Sequence, residues 1–290
     1  MSFANMIAPP LALLGIPSLF RRMMFKCSIT ILVYHDPAAE SFERHVKWLI
    51  EHYSVVSIDL MYEALKKDDI SSLGKFPLLI TVDDGRKGNY QLLPVIKKYS
   101  IRPCFYLCSS VVGTRRRLWD DCIVGNAPHE LKKMKAMSEF ERREYLSTHF
   151  GMAYEDEGKV RSMLSADEIH DMLPYVDFAS HGCFHLPFSS LTDEELHQEV
   201  VNSKLEIDAI TGMPCKHFSY PTGMYDSRCE SALKGAGYVS VRTTDYGRNI
   251  SASDIYYLHA VGVSDDASLD KLEVQSSGLY SFLRERVLAW

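Results

Sequence analysis

Several things this sequence lacks narrow its reading at the outset. Its seven Cys residues (27, 104, 108, 122, 183, 215 and 229) are odd in number and contain no C-x-x-C pair. Neither a disulfide framework nor a thiolate zinc site is therefore indicated, and reduced thiols in a cytoplasmic compartment are the simpler expectation. Excess positive charge is missing as well: 32 Lys+Arg stand against 38 Asp+Glu, a net charge of −6. That excludes a surface built to coat nucleic acid, and any anionic partner must be met locally. No internal repeat, low-complexity tract or Gly/Ser-rich linker interrupts the 290 residues, which favours a single domain. No apolar run is long enough to cross a bilayer. Residues 6–20 come nearest, but Pro9, Pro10 and Pro17 break the run and no basic residue precedes it, so it has neither the length of a span nor the charged start of a secretory signal. Arg21 and Arg22 follow directly. Residues 1–24 thus read as an apolar segment that either packs on the core or lies on a membrane surface.

What is present is an alternation of elements. Apolar, β-rich runs occur at 28–34, 55–58, 77–82, 103–108, 176–179, 217–220, 238–241 and 255–258, most of them separated by helical segments. Thr192-x-x-Glu195 is a capping box ahead of a face carrying Leu196, Val200, Ile207 and Ile210, closed by Gly212 at the C-cap. Ser165-x-x-Glu168 repeats the signal before 169–173, and Pro94 should kink or restart a helix over 87–99. Strand and helix alternating at this spacing predict a mostly parallel sheet, and seven or eight strands in one domain favour a (β/α) barrel. Between 111 and 165 the alternation fails. A charged helical insertion takes its place, carrying Arg115, Arg116, Arg117, Lys132, Lys133 and Lys135. The expected organisation is a barrel over 25–265 with this insertion at one end, followed by a C-terminal segment, 266–290.

Acidic pairs occur at Asp68-Asp69, Asp83-Asp84, Asp120-Asp121 and Asp265-Asp266, and only Asp83-Asp84 closes a buried strand, with Gly85 to turn the chain. Two carboxylates held together repel when both are ionised, and a bound cation relieves that; an Asx turn would place them equally well. Of eleven His residues only His181 and His185 stand four apart, a spacing that puts two imidazoles on one side of a helical turn. His35, the 221–223 turn and His259 also fall at the C-terminal ends of expected strands. In a parallel barrel those ends form one face, where sites are assembled from several strands. One Asp and two His then leave a coordination position open, the pattern of a catalytic zinc site.

Thr81-Val82-Asp83-Asp84-Gly85, His181-Gly182-Cys183-Phe184-His185 and Phe218-Ser219-Tyr220-Pro221-Thr222-Gly223 resemble, in order and spacing, the first three motifs of the polysaccharide deacetylases. This is carbohydrate esterase family four, the NodB-homology domain. The similarity extends over about 31–263. It implies a distorted (β/α) barrel that removes N-acetyl, or occasionally O-acetyl or formyl, groups from sugars with a divalent metal, usually zinc. Carried over residue by residue, it makes Asp84, His181 and His185 the metal ligands, Asp83 the general base, and the Thr222 N–H an oxyanion donor. His259 is the candidate general acid, with His35 next, because the family's Leu-x-His motif is met here only in the shifted form Leu258-His259. Where many members carry a base-orienting Arg in the third motif this chain has Ser219, with Arg86 and Arg242 as substitutes.

The implied substrate is an N-acetylated sugar or lipid-linked saccharide, met in the cytoplasm or at the inner membrane face. Arg115–Arg117 would either contact a carrier diphosphate or form a solvated helix face. Trp48, Trp119 and Trp290 could stack on sugars or bury as core. Two rivals stand beside this reading: an amidohydrolase acting on a small non-sugar amide, and a carbohydrate-binding barrel without catalysis. The oligomeric state is left open.

Overall fold

The computed structural model describes residues 3–250 and 255–286. The strands are β1 (Thr30–Tyr34), β2 (Ser54–Val56), β3 (Pro77–Val82), β4 (Cys104–Leu107), β5 (Asp177–Ser180), β6 (His217–Ser219), β7 (Ser240–Arg242) and β8 (Val261–Gly262), all but the last within or beside the expected apolar runs. Their spatial order is β7-β6-β5-β4-β3-β1-β8, and every pairing between them is parallel. β2 pairs with the first half of β3 and β4 with the second. β1 and β3 are buried at every position, as expected for a parallel sheet covered on both faces.

The helices are α1 (Phe3–Leu13), α2 (Ile16–Met24), α3 (Ala39–His52), α4 (Ile58–Lys66), α5 (Leu93–Tyr99), α6 (Trp119–Asn126), α7 (Leu131–Lys135), α8 (Glu139–Phe150), α9 (Ala166–Met172), α10 (Asp193–Thr211), α11 (Ser227–Gly235), α12 (Leu269–Ser276) and α13 (Leu279–Arg286). The capping boxes form at α9 and α10, and Gly212 closes α10 in the left-handed region (φ 68°). Pro94 restarts the chain: a 3-10 turn over Lys87–Leu92 gives way to α5 with the proline in its first turn, where a missing N–H is harmless. Pro9 and Pro10 do not break α1, which runs through both. The stretch 111–165 holds α6, α7 and α8.

Period-2 alternation divides the core. Leu32, Tyr34, Leu78, Ile80 and Val82 pack with residues of the surrounding helices such as Val46, Ile96 and Leu196. Ile31, Val33, Leu79, Tyr106 and Ala179 form a second cluster inside the curl of the sheet, joined by Met61 and Leu65 of α4.

One expected strand is displaced. Residues 255–258 form no ladder strand but bridge to β7 through Val241 N–H to the Ile255 carbonyl and Leu258 N–H to the Val241 carbonyl. The last strand begins only at Val261, against β1. One stretch of chain thereby spans the gap between the two edges of the curled sheet. This register decides where His259 lies.

Candidate active site

Because the strands run parallel, their C-terminal ends share one face. β3 delivers Asp83 and Asp84 there, β5 delivers His181 and, four residues on, His185, and β1 delivers His35. All five line one cleft of about 470 Å³, together with Thr222 after β6. The turns that aim them are unusual. Asp84 (φ 72°), His185 (φ 62°) and Thr222 (φ 57°) all adopt left-handed backbone, which non-glycine residues rarely hold unless the surrounding structure imposes it.

Asp84 Oδ1 lies 3.8 Å from His181 Nε2 and 3.6 Å from His185 Nε2, and one ligand atom from each residue falls within 4.8 Å of the others. Asp84 Oδ2 accepts from Arg86 Nε (3.2 Å) and Nη2 (3.0 Å). Oδ1 is buried with no hydrogen-bond partner. His181 Nδ1 donates to the Ser219 carbonyl at 2.8 Å, and Asp120 Oδ2 stands 3.0 Å from His185 Nδ1. Two imidazoles, His181 pinned by its Nδ1 hydrogen bond and His185 held beside the Asp120 carboxylate, both with Nε2 turned toward an orphaned carboxylate oxygen, form a donor set that fits a divalent cation. Burial would raise the Asp84 carboxyl, but His185, Arg86, His35 and His181 together hold it well below the usual carboxylate range. Burial lowers His181 to about 4. Burial also acts to lower His185, yet the Asp120 and Asp84 carboxylates outweigh it and push that imidazole up to about 9.

Asp83 is held separately. Arg242 Nη2 donates to both of its oxygens, at 2.8 and 2.6 Å, and also to Ser219 Oγ. Ser219 and Arg242 are register partners on β6 and β7. The guanidinium absent from position 219 thus arrives from the neighbouring strand. Arg86, the other substitute considered, bridges Asp84 to Asp121 instead (2.7 and 2.8 Å to the latter).

His35 is anchored through its backbone. The N–H groups of His35 and Asp36 donate to Asp265 at 3.1 and 3.0 Å, and Asn89 Nδ2 donates to the His35 carbonyl at 2.8 Å. His259 is not brought to this cleft. It precedes β8 rather than following a strand, so it lies at the opposite end of the sheet, beside a small cavity lined by Ile29, Thr30 and Val261. Its N–H donates to Asn249 (2.8 Å), and its ring is so close to Gly247 that a Cβ there would stand 2.5 Å away.

Arg115 and Arg116 pair with Glu157 (3.5 and 3.7 Å) and do not line the cleft; the insertion's basic residue that does is Lys135. Trp119 is buried, its Nε1–H donating to the His185 carbonyl at 2.9 Å. Trp48 stacks on His52, and Trp290 lies outside the described residues. Sequence reasoning missed Asp120, Asp121 and Asp265. The signal available was that they belong to two of the other acidic pairs.

The model of the polysaccharide deacetylase family matches residues 71–241. A Bacillus subtilis (strain 168) protein named as a polysaccharide deacetylase, YxkH, is 25% identical over 250 residues, 83% of this chain and 73% of that protein. Among solved structures the chain resembles the Streptococcus pyogenes deacetylase PplD in complex with acetate (16% identity, TM-score 0.64, 87% of this chain and 99% of that one). It also resembles IcaB from Ammonifex degensii (17% identity, TM-score 0.62, 87% and 97%). Their likeness to this chain is one of fold, the curled parallel sheet wrapped by helices. With the matched model covering more than half its length and the family's motifs meeting at one cleft, the chain belongs to the polysaccharide deacetylase family.

Proposed function

We propose that the cleft hydrolyses the N-acetyl group of a glycan sugar, with Asp84, His181 and His185 holding a divalent cation, zinc by the chemistry of the donors. The observation that carries this reading is the orphaned Asp84 Oδ1 facing two imidazole Nε2 atoms, next to a second carboxylate, Asp83, with its own cationic partner. Once bound, such a metal polarises the acetyl carbonyl and lowers the pKa of the attacking water. The chain's own residues do the rest. Asp83 takes the proton from water, and Arg242, donating to both of its oxygens, orients the carboxylate. Thr222, set in left-handed backbone at the cleft wall, offers its N–H to the tetrahedral oxyanion. His35 protonates the departing amine: it lines the cleft close enough to lower the Asp84 carboxyl, whereas His259 is at the far end of the sheet. Arg115, Arg116 and Arg117 do not line the cleft, so no part of this reading rests on a carrier-diphosphate role for them.

Metal analysis of the purified protein, followed by acetate release from N-acetylated oligosaccharides with and without chelator, tests the reading. Stoichiometric metal and chelator-sensitive acetate release are expected. Ammonia released from small amides with no acetate would shift the assignment to an amidohydrolase, and binding without turnover to a sugar-binding barrel.

A further inference from the structure

A helix packed on a soluble core normally buries its apolar face and turns its charges to water. α2 departs from this at one cation and several apolar side chains. Pro17 and Arg21 are its buried residues, while Leu19 (59% exposed) and Met23 (72%) face outward with Ile16 and Met24. The end of α1 and the turn after it add Leu13 (89%) and Leu14 (72%), and Phe20 meets the exposed Phe282 of α13 with ring centroids 5.3 Å apart. The Arg21 guanidinium lies 4.4 Å from the ring centre of Tyr53 and 4.7 Å from that of Phe76. Those residues immediately precede β2 and β3, so α2 lies across the N-terminal ends of the strands, opposite the cleft. A contiguous exposed apolar surface of this kind marks a contact site.

Charge identifies the occupant. The first 34 residues contain no Asp or Glu but include Arg21, Arg22 and Lys26, in a chain whose net charge is −6. Arg22 and Lys26 are exposed at the border of the apolar patch and, with Lys75, line a groove beside it that Asp68 and Asp69 also touch. The three cations outnumber the two carboxylates, and Asp69 is turned toward Ser71 Oγ and the Ser72 N–H, from which it accepts. A second copy docked face to face would set these cations against each other. Anionic headgroups attract them, and the acyl boundary accepts the apolar side chains. α1 and α2, with 11 and 9 residues, are only about 16 and 14 Å long and cannot cross a core of about 30 Å.

We infer that the N-terminal end of the barrel docks on a bilayer surface carrying anionic phospholipid, with α2 lying in the interface. The cleft then faces away from the membrane, raised by the length of the longest strand, β3, about 20 Å. Combined with the deacetylase reading, on which this second step rests, the geometry favours a glycan extending from the bilayer over the first sugar on a short carrier.

The test is sedimentation of the full chain with phosphatidylglycerol/phosphatidylcholine vesicles and with pure phosphatidylcholine. Binding only to the anionic vesicles is expected. Leu19→Ser with Met23→Ser should lower the partition coefficient about tenfold or more, and Arg22→Glu with Lys26→Glu by a similar factor. Circular dichroism and acetate release from a soluble oligosaccharide should be unchanged in both variants. No preference for anionic lipid, or variants that bind as well as the parent, would overturn the proposal. So would a dimer in sedimentation velocity that Leu19→Ser with Met23→Ser dissociates. Lipid binding without any acetate release would leave the docking intact and fail the deacetylase reading instead.

Discussion

At the C-terminal end of the sheet the buried carboxylates of the cleft each face a cationic partner: Asp83 faces Arg242, Asp84 faces Arg86, and Asp120 faces His185. At the N-terminal end the buried Arg21 rests instead on two aromatic rings, beneath a helix that turns apolar side chains to water. The same parallel strands supply both ends, so the difference lies in what the loops present. Loops at the C-terminal end hold fixed charges and left-handed backbone in place for chemistry, a preorganised arrangement that is sensitive to loss of a single partner. The N-terminal end has ion pairs of its own, Arg102 with Asp177 and Asp59 with Lys216 and His217, but they lie away from the cleft, and substitutions on α2 should alter contacts with the outside while leaving the reaction alone.

The contrast is broken or sharpened most sharply at the cleft. Asp84→Ala and His181→Ala should each abolish metal binding and acetate release together. Asp83→Asn should retain the metal and lose about 10³-fold in kcat. Metal analysis beside steady-state kinetics separates these outcomes, and a fully active Asp83→Asn enzyme would remove the base from the mechanism. His35→Gln should reduce kcat about 10²-fold or more, whereas His259→Gln, at the other end, should leave it within about twofold of the parent. The reverse result would return the acid role to His259. Arg242→Met should lower kcat about 10²-fold and destabilise the fold by about 3 kcal/mol by stranding the buried Asp83 charge, with Arg242→Lys recovering part of both. Denaturation measured beside turnover checks this, since a purely structural role would leave kcat of the folded fraction unchanged.

Much of this arrangement was legible in the sequence, for identifiable reasons. β1 and β3 are buried on both faces, so they read as unbroken apolar runs, and a strand that ends in Asp-Asp-Gly announces where its carboxylates emerge. That one carboxylate of the Asp83-Asp84 pair would meet His181 and His185 followed from strand ends plus spacing, while the choice of Asp84 came from the family resemblance. His259 did not, because its placement depended on the register of one short segment. Shifting the strand from 255–258 to 261–262 moves that residue from the C-terminal face to the N-terminal one, and hydrophobicity alone cannot set the register of so short a stretch. Asp120 and Asp121 sit in α6, within an insertion whose sequence has no strand pattern to anchor it, so nothing local points their side chains at the cleft. Asp265 was hidden differently. It acts on the His35–Asp36 backbone, 230 positions away in the chain, and a backbone contact leaves no complementary side chain to notice. The arginine that contacts Asp83 was present as a candidate, but choosing Arg242 over Arg86 required the pairing of β6 with β7.

The smallest expected effect tests an exception within the charged end. Glu199 of α10 is a buried carboxyl behind the loop carrying His181, where it accepts the Cys183 N–H at 2.7 Å. Burial raises it from an ordinary value of 4.5 to about 7, with Glu139 and Glu206 adding to the rise and the N–H groups of Cys183 and Phe184 opposing it. A raised carboxyl binds its proton more tightly in the folded chain than in the unfolded one. Its contribution to stability is therefore complete below about pH 4.5 and is lost as pH rises through about 7. Between those values the native protein should lose roughly 2–3 kcal/mol from this group. Glu199→Gln keeps an oxygen for the Cys183 N–H and has no charge to bury. Denaturant unfolding at pH 5 and pH 8 should show the parent weakening across the interval and the variant weakening less, so that the variant is the more stable of the two at pH 8. Parallel pH dependences would mean that Glu199 is already ionised at pH 5 in the folded protein. The N–H groups of the loop would then satisfy a buried anion without a cation, and the charge pairing seen at Asp83 and Asp84 would be a requirement of the reaction rather than of the fold.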